Sequence, residues 1–135
     1  LILPACYLCY ACKGDLSKAT KEQRKLVLDA AWEGCEMLKA AHIPVDDKEN
    51  TDYYRAGTPG RRKMDAMLLA ICKTPLGRLC VSDHAMHAVA EMQYLDEAFE
   101  GLRAQTQTQM TAWDTLRGQM PSWDIIRKKM AKTRR

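Results

Sequence analysis

The stretch TKEQRKLVLDAAWEGCEMLKAA, residues 20–41, sets the fold class. Leu26, Val27, Ala30, Ala31, Gly34, Cys35, Leu38 and Ala41 repeat with the 3.6-residue period of an amphipathic helix. Lys21, Glu22, Arg24, Lys25, Asp29, Glu33 and Glu36 mostly fall on the opposite, solvated face. Thr20 and Gln23 have capping-box spacing, so the helix begins at Thr20. It ends near His42, because Pro44 pushes Ile43 out of the helical region.

The same signals extend outward. Leu1 to Lys13 is apolar almost all round, which predicts a buried helix stopped by Gly14 as its C′ residue. Asp15 to Ala19 reads as a connection, and the polar run Val45 to Gly57 as a loop with one turn near Tyr53 and Tyr54. Thr58 and Pro59 give a cap and a first-turn proline for a third helix reaching about Lys73, with Met64, Met67, Leu68, Ile71 and Cys72 inward. Pro75 and Gly77 break it. Ser82 is placed to cap a long fourth helix, Asp83 to about Ala104, with Ala85, Ala88, Val89, Met92, Leu95, Phe99 and Leu102 inward. Thr111 and Ser122 are placed to cap a fifth and a sixth, carrying Trp113 and Leu116, then Trp123, Ile126 and Met130. No period-2 strand pattern and no internal repeat occurs. The expectation is a single all-α domain over residues 1–135, with about six helices.

Composition narrows the class. A chain of 135 residues, 47% hydrophobic and 28% charged, can bury a core without staples. The net charge of +4 is mild, and Arg127, Lys128, Lys129, Lys132, Arg134 and Arg135 supply much of it as a basic tail. That tail reads as a solvated helix end with cations near the negative pole of the dipole. No basic patch is interleaved with aromatics, so no nucleic-acid partner is expected. No apolar run is long enough to span a bilayer, so no membrane partner is expected either. The six cysteines sit inside apolar helical patterns, which favours reduced, buried thiols and a cytoplasmic location. The chain opens on Leu1 rather than Met, and a missing upstream part is expected.

Two constellations carry candidate chemistry. CYLCYAC spaces Cys6, Cys9 and Cys12 three apart, as in zinc and iron–sulfur sites. Tyr7, Leu8, Tyr10 and Ala11 between them favour instead three packed thiols on a buried helix, and no metal is assigned. The second is SDHAMHAVAEM, where His84, His87 and Glu91 at i, i+3 and i+7 project from one helical face. Such a face can bind a metal or serve as acid, base or substrate ligand. The plain alternative is that His84 caps or faces solvent and Glu91 pairs with a Lys or Arg. No nucleophile elbow, P-loop or GxGxxG occurs, so the chain holds no dinucleotide by the Rossmann device alone.

Two stretches resemble the C-terminal helical domain of ketopantoate reductases (2-dehydropantoate 2-reductases), which is of the 6-phosphogluconate-dehydrogenase-like type. LPACYLCYACKGDL has Pro4, Gly14 and Leu16 in register with that family's first helix and its closing Gly-x-Leu, and AAWEGCEMLKAAHIPV is similar to the end of its long second helix. Asp83, followed eight residues on by Glu91, is similar to the family's Asp and the Glu of its Thr-Glu-Ile-Asp motif. The resemblance implies an NADP-dependent oxidoreductase acting on a 2-oxo acid or related small carbonyl compound. It implies that Glu91 faces the cleft between two domains. Asp83 joins it as a substrate- or cofactor-binding candidate, as do His84 and His87, which stand where the family has no fixed His and come from the shared helical face. The nucleotide would be held by an upstream Rossmann domain absent from this chain, which also carries the family's general-acid Lys, and a homodimer is expected. The chain departs from the pattern at Leu3, where the family has Asn, and at Leu79, where it has Ser. Both losses remove donors that grip a hydroxylated acid. The competing readings are a stand-alone helical interaction module and a small His/Glu metal-binding protein.

Overall fold

A computed structural model describes residues 1–45, 53–77 and 81–133, apart from the side chains of Leu76 and residues 130–133. No strand occurs among the described residues, so the protein is all-α. Six helices have nine or more residues: α1 (Ile2–Ala11), α2 (Lys21–Ala40), α3 (Pro59–Lys73), α4 (Val89–Thr106), α5 (Thr111–Gln119) and α6 (Trp123–Thr133). Shorter helical pieces occupy Leu16–Lys18, Pro75–Gly77 and Asp83–His87.

α1 is the central element, as its all-round apolarity predicts. Leu3, Pro4, Cys6, Tyr7, Leu8, Cys9 and Tyr10 are all buried. It packs on α2 and α5, and α2 in turn makes its most extensive contact with α5. α3 also packs on α2, burying Leu68 and Cys72 and pairing Arg61 with Asp29. Burying each large side chain such as Leu28 or Met37 contributes about 1.5–3 kcal/mol.

The helix ends follow local rules. Thr20 and Gln23 form the full capping box. Thr58 caps α3, with Pro59 in its first turn. α1 ends in a Schellman motif, but Lys13 rather than Gly14 is its left-handed C′ residue, at φ +57°. Gly14 donates its N–H to Cys9 O at 2.9 Å, and Lys13 donates to Tyr10 O at 3.1 Å. α2 closes the same way through His42, at φ +60°, and Ile43, whose N–H reaches Leu38 O at 2.9 Å.

Further expectations are corrected. Ser82 does not cap a long fourth helix: it is helical itself, its side chain makes no cap bond, and the helix is interrupted at Ala88 (φ −108°, ψ 34°). Thr111 does not cap α5; the cap comes from α2, where Glu33 accepts from Ala112 N at 3.1 Å and Trp113 N at 2.8 Å. Glu33 is therefore not a solvated charge but a joint between two helices. Met67 is 45% exposed, because the described elements cover only the Leu68–Cys72 side of α3. Ser122 does sit at the start of α6, its hydroxyl accepting from Ile125 N at 3.4 Å. The turn expected at Tyr53 is present. Asp46–Asn50, Leu79, Cys80, Arg134 and Arg135 lie outside the described residues, as do the side chains of Met130 and Lys132.

Candidate functional site

The four residues singled out by sequence all lie on the connection from Val81 into α4, and all four are exposed. Asp83, His84 and His87 belong to the short helix, while Glu91 stands in the first turn of α4, beyond the interruption at Ala88. They are therefore not one uninterrupted helical face. His87 is fixed by a 2.7 Å bond between Nδ1 and the Asp83 carbonyl. A carbonyl oxygen only accepts, so Nδ1 carries the hydrogen, and in the neutral ring Nε2 keeps its lone pair. Glu91 forms no hydrogen bond or ion pair among the described residues, so the pairing with Lys or Arg is not made there. The metal alternative gains nothing from the geometry, since no cluster of three His, Cys, Asp or Glu side chains suited to a cation occurs among the described residues.

His84 does have a structural neighbourhood. It lies at the edge of a cavity of about 320 Å³ whose other walls are apolar. α1 contributes Ala5 and Cys6, α3 contributes Met64, Met67 and Leu68, and Val81 sits beside His84. The volume is at the small end for a ligand site. Met67 and Ile2 line it while remaining exposed, so the cavity opens to the outside.

The cysteine run packs as its apolar spacers imply: Cys6, Cys9 and Cys12 are buried and free. Burial, with Cys9 adding to it, pushes the Cys6 thiol up to about 12. Burial also raises Cys9, Cys12 and Cys72. These are protonated thiols, poor nucleophiles and poor metal ligands.

Sequence reasoning missed a highly connected buried polar group. Asp96 on α4 is 1% exposed and accepts from four donor atoms. Arg117 of α5 binds it bidentately, at 2.8 Å through Nε and 2.9 Å through a terminal nitrogen. Trp123 Nε1 of α6 donates at 3.1 Å, and the Tyr7 hydroxyl of α1 donates to the same carboxylate. Burial pushes Asp96 up, but Arg117, Tyr7 and Trp123 outweigh it and hold the carboxyl below its ordinary range. Burial, the bond to Asp96 and its charge raise Tyr7. With every lone-pair direction engaged, Asp96 ties four helices together and offers nothing to a ligand. Its only sequence signal is an acidic residue one position after Leu95 on the buried flank of α4.

No described helix is long and apolar enough to cross a membrane. No family model, no curated protein and no solved structure matches the chain.

Proposed function

We propose that the chain is the C-terminal, substrate-binding domain of a ketopantoate-reductase-like NADP-dependent oxidoreductase acting on a 2-oxo acid or a related small carbonyl compound. The observation that carries this reading is the character of the Val81–Met92 connection. Val89 and Met92 are buried, yet Asp83, His84, His87 and Glu91 all point outward, and Glu91 has no partner among the described residues. Of the four, His84 lines the apolar cavity, and a polar side chain at an apolar cavity is a usual component of a ligand site.

NADP supplies the hydride when bound, and its phosphates need a strand–turn–helix cradle. No strand occurs among the described residues, so the nucleotide is assigned to an upstream Rossmann domain and no step is derived through it here. Glu91 accepts a hydrogen bond from the 2-hydroxyl of the reduced product or from the upstream domain, and His84 binds the substrate carboxylate. Docking of the two domains excludes water and fixes the carbonyl. Homodimer formation and a cytoplasmic location belong to the same proposal.

The test uses the full-length polypeptide. Glu91→Ala is expected to lower NADPH-dependent turnover of 2-oxo acids at least 100-fold with an unchanged melting temperature, since Glu91 is exposed. Normal turnover in that variant overturns the site, and a coding region without an upstream dinucleotide-binding domain overturns the enzyme. In that case the exposed Leu1, Ile2, Met67 and Leu69 favour the interaction-module reading.

A further inference from the structure

We infer that the cavity beside His84 selects 2-oxo acids whose side chain is apolar and branched or aromatic, rather than hydroxylated. This rests on the proposed reductase reading and names the substrate class of that site. Three observations carry it. The cavity holds about 320 Å³, and among the described residues His84 is its only polar-side-chain wall residue besides the weakly polar thiol of Cys6. His84, like Ile2 and Met67, lines the cavity while remaining exposed. Leu8 and Leu28, two further wall residues, are buried and offer no side-chain donor.

A hydroxyl placed against Ala5, Met64, Leu68 and Val81 would lose its water and gain no partner there. A branched or aromatic side chain loses nothing and removes its own apolar surface from water. Met64 and Met67 are unbranched and flexible, so this wall adapts to either shape. The imidazole of His84 at the rim is then the hydrogen-bonding partner of the carboxylate, which keeps the acid end at the surface where the second domain would approach.

The experiment titrates the 135-residue chain, labelled with 13C at its methionine methyls, with 4-methyl-2-oxopentanoate and, separately, with pyruvate. The expected result is saturable shifts at Met64 and Met67, little change at Met110, which does not line this cavity, and at least tenfold weaker binding of pyruvate. Met67→Glu places a charge at an exposed point of the mouth without burdening the core, and is expected to weaken binding at least tenfold. Ala5→Leu fills the cavity and should do the same. Equal binding of the two acids, absence of binding, or shifts away from Met64 and Met67 would overturn the inference, even if the full-length protein reduces pyruvate. Selective binding at the two methionines upholds the cavity's preference. If the full-length protein then reduces no 2-oxo acid, the reductase reading fails while the binding site stands.

Discussion

Glu33, in the middle of α2, caps the first turn of α5 by accepting from the backbone N–H groups of Ala112 and Trp113, 79 and 80 residues away. A helix cap is ordinarily local; here it fastens one helix to another. Both bonds have a carboxyl oxygen as acceptor, at the positive end of a helix dipole. Glu33→Ala is expected to cost about 1–3 kcal/mol, since it leaves two N–H groups without their acceptor. Glu33→Gln should recover about half. Urea unfolding followed by tryptophan fluorescence measures both, and a loss below about 0.5 kcal/mol for Glu33→Ala would show that water replaces the carboxylate.

The Asp96 network predicts a larger effect and a pH signature. Asp96→Ala strands the guanidinium of Arg117 and the hydroxyl of Tyr7, and is expected to cost about 3–5 kcal/mol. The folded-state pKa of Asp96 is lowered, so its contribution is fully present above the ordinary carboxylate range. It is lost as pH falls from that range through the lower folded value. Asp15 and Asp114 are also held low, by Ser17 and by Arg103 respectively, and act in the same direction at the surface. The share of Asp96 is therefore read as the difference between the protein and Asp96→Asn across pH 7 to 3. An unchanged slope in that variant contradicts the assignment.

Gly34 predicts a clash. A Cβ there would stand 3.0 Å from Cζ3 of Trp113. Alanine normally gains about 1 kcal/mol over glycine inside a helix. Trp113, however, is held edge-on by Tyr7 and stacked by Phe99, each at 5.5 Å between centroids, and has little room to yield. Gly34→Ala is expected to be destabilising by about 1 kcal/mol, and Gly34→Val by more. A lower urea midpoint with unchanged slope is the expected record; a higher midpoint would mean that Trp113 moves freely.

The buried thiols predict kinetics. Cys6, with its pKa at about 12, and its neighbours Cys9 and Cys12 should resist an aromatic disulfide reagent at pH 8 in the folded protein. Their modification should proceed at the rate of global unfolding and accelerate in parallel with it as urea is added. Fast modification of Cys9 in the absence of denaturant, located by peptide mapping, would contradict the packing of α1.

What was legible in the sequence was what is local. The α2 capping box, the Thr58–Pro59 start and the all-round apolarity of α1 depend on neighbours within a turn, and each is found where it is expected. Glu33 and Asp96 were illegible because an acidic residue on a helix looks solvated until its partner is known, and theirs come from α5, α6 and α1. Met67 shows the converse. Periodicity gives the face of a helix but not whether another element covers it. The candidate residues Asp83, His84, His87 and Glu91 were correctly seen as crowded together in sequence, but the interruption at Ala88 separates the first three from Glu91. The cavity beside His84 had no sequence signature, since its walls come from well-separated stretches.

The aromatic face of α1 also has a temporal meaning. Tyr7 finds Asp96 and Trp113, and Tyr10 finds Trp123 and the carbonyl of Ala85. On a ribosome, the interval between making Tyr7 and making Asp96 is on the order of ten seconds. Throughout that interval the most apolar helix of the chain has no aromatic or charged partner to receive it. The helix at the centre of the finished protein is thus the one whose aromatic partners are made last.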